Sequence, residues 1–483
     1  MKMAQNHFSN INRETREKWI NGEISRQFPD DTQYGDDGLD ISAIAPLHRA
    51  TDPTLLPGSK SKRLPMASEL TNARELASAK ARHAGQLLFQ AFHEGRSYPM
   101  EEQPLDEALF ASCIAENDFA KLTNKTRAFL LASNEKSDPD WRFTAVRIFV
   151  KGQQKVNTAT INGEWKACQT LAQFSDQWLL LFGPAVRYVA KQDATRCPPH
   201  ILVLAGHSAM EANEWAKTYI RTAKATTNDY TAFDQSQTAE AVVAECLHMA
   251  WWGIPAHLIE MYRYQKVHLR HQFGTSAIMR FTGEPGTYKF NSFFSEALCY
   301  LQYDFPVGHP RCHSGDDTLF PDHLPIRPSW DRVRLLFSVV AKTERLFNYG
   351  VFCGYIYTPW GIIREPETLA IKLAIAIETG KFDRVAEGYA QELAVGNLMG
   401  DSAFECLTTE QIEWRAAAGQ ALFERGDAVV RSLLASPCLD DVRAPYHDIL
   451  LRHGAVALSQ LKRRERLAAY AQYVPLKSQT IQE

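Results

Sequence analysis

Three short stretches of the chain carry side chains suited to phosphate chemistry, and they come in a fixed order. Asp229-Tyr-Thr-Ala-Phe-Asp234 holds two carboxylates five residues apart. Gly283-Glu-Pro-Gly286 is followed by Thr287 and Asn291. Ser314-Gly315-Asp316-Asp317 sets two carboxylates side by side. Separate segments that each supply hard oxygen ligands can hold two Mg²⁺ ions, with Mn²⁺ as a substitute. Such a pair activates an attacking hydroxyl and stabilises a departing phosphate. Two adjacent acids near Leu319 and Phe320 are costly to keep ionised without a cation.

Each stretch also has a plainer reading. An Asp after a strand can cap the next helix. Pro285-Gly286 makes a simple turn, and Gly315-Asp316 makes a hairpin turn. The conjunction of all three favours a nucleotidyl-transfer site. In that site Asn291, alone or with Asp234, would read a ribose 2′-hydroxyl, because an amide both donates and accepts. Gly283 would allow close backbone approach to a nucleic-acid strand. Lys151, Lys155 and Lys166 would line a nucleotide entry path and neutralise triphosphate. His268 and His271 have helical spacing, and Cys312-His313 stands elsewhere, but no four-ligand zinc pattern appears, so these histidines read as structural.

The elements that must position these residues can be sketched from pattern. Ala223–Tyr230 reads as a strand that delivers Asp229 at its C-terminal end. Ala239–Trp251 is an amphipathic helix, with Val242, Val243, Cys246, Leu247 and Ala250 on one face. Pro255–Phe273 reads as a second helix. Phe290, Phe293, Phe294, Ala297, Leu298 and Leu301 mark another behind the glycine loop. His309–Pro321 reads as a hairpin turning at Gly315-Asp316. Upstream, Ala67–Phe92 is helical in pattern, broken by Gly95–Pro99, and Pro104 opens a helix running toward Ala132. Residues from Glu365 on are rich in Ala, Leu, Glu and Arg and read as mostly helical. Residues 1–45 are polar and read as a loose arm.

Composition sets bounds. The chain has 483 residues and a formal charge of −3, so no whole-chain basic signature for nucleic acid exists. Any such contact must use a local surface, and 142–196 is the candidate: eight Lys/Arg against three acids, a balance of 8 − 3 = +5. Nine cysteines without CxxC spacing suggest reduced thiols and an intracellular setting. No secretory signal and no membrane-length apolar run is evident.

These residues resemble a known family. Thr227-Asn-Asp-Tyr-Thr-Ala-Phe-Asp-Gln-Ser-Gln237 is similar to motif A of tymovirus- and flexivirus-type RNA-dependent RNA polymerases, within the alphavirus-like group. Arg280-Phe-Thr-Gly-Glu-Pro-Gly-Thr287 with Asn291 resembles motif B, and Ser314-Gly-Asp-Asp317 resembles motif C. Ser137-Asp-Pro-Asp-Trp141 resembles the lead into motif F. Phe149-Val-Lys-Gly-Gln153 and Lys166-Ala-Cys-Gln-Thr-Leu-Ala172 resemble its ends. Phe352-Cys-Gly-Tyr355, then Gly361-Ile362 and Pro366, resembles motif E and its sequel. Cys168 stands where the family usually has glycine, and no arginine lies between Lys155 and Lys166.

The resemblance runs from about His48 to Leu369 and implies an α+β right-hand fold. It implies an arm at 1–45, fingers at 46–222, a palm at 223–364 with a fingers insertion near 252–280, and a helical thumb at 365–483. It implies that Asp229 and Asp316 ligate two metals with Asp317 nearby, that Asp234 and Asn291 select ribonucleotides, and that Lys166 meets the triphosphate. Lys342 is the nearest candidate for the motif D lysine that protonates pyrophosphate. The implied activity is replication of a positive-strand RNA virus genome from rNTPs on an RNA template. The implied partners are a helicase and a capping enzyme, in cis or in trans. The implied setting is the host cytoplasm, at membrane-associated complexes reached through partners. No Gly-x4-Gly-Lys-Ser/Thr loop occurs in this chain, so it is expected to be an excised fragment or a separately encoded polymerase. Two rivals stand beside this reading. One is a non-catalytic RNA-binding scaffold of polymerase shape. The other is a reverse transcriptase, disfavoured by Ser314-Gly315 before the paired acids and by Asn291.

Overall fold

The computed structural model describes residues 19–20, 23–24, 47–49, 51–123, 141–154 and 167–435. The expected arm at 1–45 and the end of the expected thumb therefore lie almost wholly outside the described residues, as do Lys155 and Lys166.

At the centre is a five-stranded sheet. Its strands are β3 (Ile201–Val203), β4 (Ala225–Tyr230), β5 (Arg311–Ser314), β6 (Asp317–Pro321) and β7 (Ala341–Leu346), in the spatial order β7-β4-β6-β5-β3. All neighbours are antiparallel except β5 and β3. The apolar faces of β3, β5 and β6 meet helices, so most of their residues are buried. The central sheet thus takes an edge strand from 201–203, inside the segment that the resemblance assigns to the fingers. β3 runs parallel to β5 and in the same direction as β4, so the chain crosses over through the helix Ala209–Tyr219 before it returns as β4.

Register sets the geometry of the site. Thr318 pairs with Asn228, so the next residues out, Asp317 and Asp229, lie alongside each other at one end of the sheet. On the other side of β4, Asp229 pairs with Lys342. Because side chains alternate along a strand, a slip of one residue would turn these groups to the opposite face.

Several helices match their sequence pattern. The amphipathic stretch 239–251 is helical over Ala239–Trp251, and the helix behind the glycine loop, α9, runs Thr287–Gln302. Two differ. The 67–92 pattern is two helices, Glu69–Ala77 and α3 (Ala79–Arg96), separated at Ser78, whose hydroxyl accepts from Ala81 N at 3.0 Å and so caps the second. The stretch 255–273 is helical only over Ala256–His268 and ends in a small antiparallel pair, Arg270–His271 with Gly274–Thr275. The tertiary contact of Arg270 N with Thr144 O, at 2.8 Å, overrides the local helical pattern there.

Beyond the sheet, β8 (Val351–Phe352), β9 (Tyr355–Thr358) and β10 (Gly361–Arg364) form a separate three-stranded sheet. Four longer helices follow between Pro366 and Ala435. Their apolar faces share one core with Leu202, Ala212, Trp215 and Ile220, which fixes the helical region against the sheet. Pro366 at the first turn, with the Glu365 side chain accepting from Thr368 N at 2.7 Å, starts the first of them.

A buried ion cluster ties α3, α9 and β5 together. Arg96 donates to both oxygens of Glu296 at 2.7–3.2 Å, with Arg311 at 3.7 Å on the other side. Burial, the largest single effect, would raise the Glu296 carboxyl, but Arg96, His313 and Arg311 together outweigh it and hold the group at about 2. Replacing Arg96 by Met leaves a buried carboxylate short of its main partner. We expect this to cost about 3–5 kcal/mol in urea unfolding at pH 7. Because the depressed carboxyl stabilises the fold above its unfolded value of 4.5 and loses that effect toward 2, the gap between variant and wild type should narrow as pH falls across that window.

Candidate active site

The turn between β5 and β6 carries the adjacent acids. Gly315 has φ of 62° and Asp316 does not share the positive φ, the pattern of a two-residue II′ hairpin turn with glycine first. Two hydroxyls of α9 hold this turn in place. Ser292 Oγ accepts from Gly315 N at 2.9 Å, and Tyr288 Oη lies 2.9 Å from Ser314 Oγ. The loop containing the acids is therefore anchored to the helix that starts behind the glycine loop.

Asp316 and Asp317 both have raised carboxyl pKa values. Burial is the main cause for each, and neighbouring carboxylates add to it: Asp229 and Asp234 for Asp316, Asp316 and Asp229 for Asp317. Asp317 is pushed up to about 6. The hairpin and β4 thus crowd several carboxylates at one sheet end, which raises the free energy of their ionised forms. Asp229 Oδ1 accepts from Tyr230 N at 2.7 Å, and its Oδ2 lies 3.6 Å from Lys342 Nζ. Lys342 and Asp229 are both largely exposed, so this pair adds little to stability.

The chain leaves β4 through Ala232, which has φ of 51° without being glycine. That left-handed residue, costing about 1 kcal/mol or more, bends the backbone into the single turn Phe233–Ser236. The bend brings Asp234 back to face the glycine loop. Asp234 Oδ1 accepts from Asn291 Nδ2 at 3.0 Å, and Oδ2 accepts from Thr282 Oγ at 2.8 Å. Sequence reasoning paired Asp234 with Asn291, and the structure places them in direct contact. It missed Thr282, although its position beside Gly283 was available as a signal. It also missed Gln237, whose Nε2 donates to Asn291 Oδ1 at 2.8 Å.

Gly283 has φ of 103°, and a Cβ there would come 2.4 Å from the carbonyl oxygen of Ala172. The close approach that requires glycine is thus to this chain's own backbone, where Ala172 N also donates to Thr282 O at 2.8 Å. Thr287 has its hydroxyl 2.6 Å from Phe281 O and 2.9 Å from Glu284 O, so it closes the loop. Beneath the loop, Glu284 accepts from Phe281 N at 3.1 Å and meets Lys266 at 2.6 Å and Arg280 at 3.0 Å. Arg280 pairs in turn with Glu245. These four charged side chains are at most 2% exposed, so the loop rests on a buried base of two acids and two cations in ion pairs.

Lys151 donates to Gln169 Oε1 at 3.1 Å, and Gln169 reaches Thr282 Oγ at 3.4 Å, which links the expected nucleotide entry path to the Asp234 pocket. Lys155 and Lys166 lie outside the described residues. The basic run 142–196 is not an open positive face throughout: Lys191 pairs with Glu116 at 2.5 Å, Arg187 donates to Asn117, and Arg196 donates to Gln103. Cys353, with φ of 49°, sits in the β8–β9 turn and places its thiol 3.7 Å from Asp317 Oδ2. A cavity of about 290 Å³ runs between this turn, Asp229, Asp317 and Lys342.

His268 Nδ1 lies 2.8 Å from Glu69, consistent with a structural role. Among the described residues no three His, Cys, Asp or Glu groups already close on a single point as a metal cage. The donors of Asp229, Asp316 and Asp317 nevertheless fit a hard divalent cation: all are carboxylate oxygens, with Asp316 and Asp317 half-buried and the more exposed Asp229 crowding both.

The family model described as RNA dependent RNA polymerase matches residues 98–360. The non-structural replication polyprotein of Grapevine fleck virus (isolate Italy/MT48) is 40% identical over 78% of this chain and 19% of its own length. That of Eggplant mosaic virus is 39% identical, and that of Turnip yellow mosaic virus 38% identical, each over 83% of this chain and 22% of its own length. The chain spans about a fifth of the length of these curated relatives. A crystal structure of an insertion loop deletion mutant of a human picobirnavirus RNA-dependent RNA polymerase aligns with 75% of this chain and 80% of its own, at TM-score 0.43 and 11% identity.

The Asp317 shift gives a signed expectation. Its folded pKa of about 6 exceeds the ordinary 3.8, so the metal-free folded protein holds more protons than the unfolded chain between these values. Stability contributed by this group is complete below about 3.8 and is lost as pH rises through 6. Asp317→Asn should therefore stabilise the EDTA-treated protein by about 1–3 kcal/mol at pH 7.5 and by little at pH 4, read in urea melts. Equal gains at both pH values would show that crowding of ionised carboxylates is not the cause.

Proposed function

Given that the chain belongs to the RNA-dependent RNA polymerase family, we propose that it copies an RNA template from rNTPs by two-metal nucleotidyl transfer. The observation that carries this reading is the meeting of two sites at one sheet end. The Asp229, Asp316 and Asp317 carboxylates stand beside the Asp234–Asn291 pair that can read a ribose.

Each residue then has a task. Asp229, Asp316 and Asp317 would hold the ions, Mg²⁺ in the first place. When bound, these ions lower the pKa of the attacking 3′-hydroxyl and stabilise the departing pyrophosphate. Asp234 keeps lone pairs toward the nucleotide sugar while Thr282 and Asn291 fix its plane. Lys342, exposed at the rim and already 3.6 Å from Asp229, can deliver a proton to the leaving pyrophosphate. Lys151 stands on the entry side, turned toward Gln169. The relatives are named as replication polyproteins, which supports work within a larger replicase that supplies helicase and capping functions in cis or in trans. The proposed setting is the host cytoplasm, at membrane-associated complexes reached through partners. Among the described residues no helix is long and apolar enough to cross a membrane.

Incorporation of labelled UMP on a short RNA template with Mg²⁺ tests the assignment. Asp316→Ala should lower the rate at least about 10³-fold, the scale of several kcal/mol of metal-borne stabilisation, while far-UV circular dichroism stays that of wild type. A folded Asp316→Ala protein with robust synthesis would remove the carboxylate pair from the mechanism. Asn291→Ala should reduce the preference for UTP over dUTP about tenfold, one lost hydrogen bond's worth; unchanged preference would remove Asn291 from sugar reading.

A further inference from the structure

Gln237 stands three residues beyond Asp234, closing the single helical turn Phe233–Ser236 that contains it. It is 1% exposed, and no acid or base of the proposed mechanism touches it. Its one side-chain hydrogen bond among the described residues runs from Nε2 to Asn291 Oδ1, at 2.8 Å. Its Oε1 is buried and has no partner among the described residues.

The donor pattern can be followed from one end to the other. An ionised Asp234 only accepts, so Asn291 must offer it an N–H rather than its oxygen. Asn291 then turns its oxygen toward Gln237, which must answer with an N–H. Both amide orientations follow from the carboxylate. The consequence for the sugar is specific. An Asn291 amide has two N–H groups, and Asp234 takes one of them. The other is left for an acceptor in the pocket, while Asp234 keeps lone pairs for a donor. A ribose 2′-hydroxyl is both acceptor and donor, and a 2′-deoxy carbon is neither. Without the Gln237 donor, the Asn291 oxygen would be buried with no partner. The amide would then be held by Asp234 alone, and its second N–H would lose its fixed aim at the sugar.

We propose that Gln237 is a positioning residue that locks Asn291 as a donor toward the ribose 2′-oxygen and so sets the preference for ribonucleotides. The inference rests on the polymerase reading above, and on Asp234 and Asn291 as the sugar readers.

The test uses the full chain, single-nucleotide incorporation on an RNA template with Mg²⁺, and KM and kcat for UTP and dUTP. Gln237→Met keeps the length and bulk of the side chain without a donor. Gln237→Glu keeps size and polarity but only accepts. Both should lower the UTP/dUTP ratio of kcat/KM about tenfold, with the loss falling on KM for UTP more than on dUTP. In an Asn291→Ala background neither substitution should lower the ratio further, because the two residues act as one unit. Equal losses for UTP and dUTP would mark Gln237 as a packing residue only and overturn the proposal. So would a ratio effect that multiplies with that of Asn291→Ala. Should either variant melt far below wild type, the other carries the comparison at a temperature where it is folded. Wild type that makes no product on any template overturns the polymerase reading, and this inference with it.

Discussion

The arrangement depends on holding several carboxylates at one end of a sheet, where they repel one another. Burial and mutual proximity raise Asp316 and Asp317 above the ordinary carboxylate range. Nothing in that cluster is favourable for folding by itself. It persists because the surrounding structure leaves the side chains no alternative: antiparallel register fixes Asp317 beside Asp229, and a two-residue turn fixes Asp316 above them. The tight turn is in turn pinned by Ser292 and Tyr288 from a helix whose inner face is buried. Strain of this kind, maintained by a rigid frame, marks sites where a bound cation relieves the repulsion.

The same helix joins the charge site to the sugar site. One turn of α9 offers Tyr288 and Ser292 to the acidic hairpin, and Asn291 to Asp234. A shift of the helix would therefore disturb both at once. Two buried ion clusters resist such a shift, Arg96–Glu296–Arg311 along its length and Lys266–Glu284–Arg280–Glu245 beneath its start. Removing one partner from such a cluster strands a charge away from water, so geometry is enforced by the penalty for leaving it.

Much of this was legible in the sequence. Asp229 with Asp234, and the Gly315-Asp316 turn, each lie in a short stretch whose own pattern sets its conformation, and such local signals survive into the fold. The strand 225–230 and the helix 239–251 follow from short-range pattern for the same reason. What was not legible depends on distant partners. Gly283 is needed because Ala172, far away in sequence, passes close by. The helical pattern of 255–273 yields after His268 to a pairing with Thr144. Gln237 is a polar residue at a helix end until Asn291 is placed against it. The basic run of 142–196 read as a candidate positive surface, and the sequence could not show that Lys191 in it pairs with Glu116 of another helix.

We propose that these crowded carboxylates form the two-metal centre of a polymerase. The most direct measurement is Mn²⁺ binding followed by electron paramagnetic resonance, with the protein in complex with an RNA template–primer duplex and a non-hydrolysable UTP analogue. The account predicts about two tightly bound ions per chain, and loss of both when Asp229 and Asp316 are replaced by Asn. Retention of both ions in that double variant would contradict it.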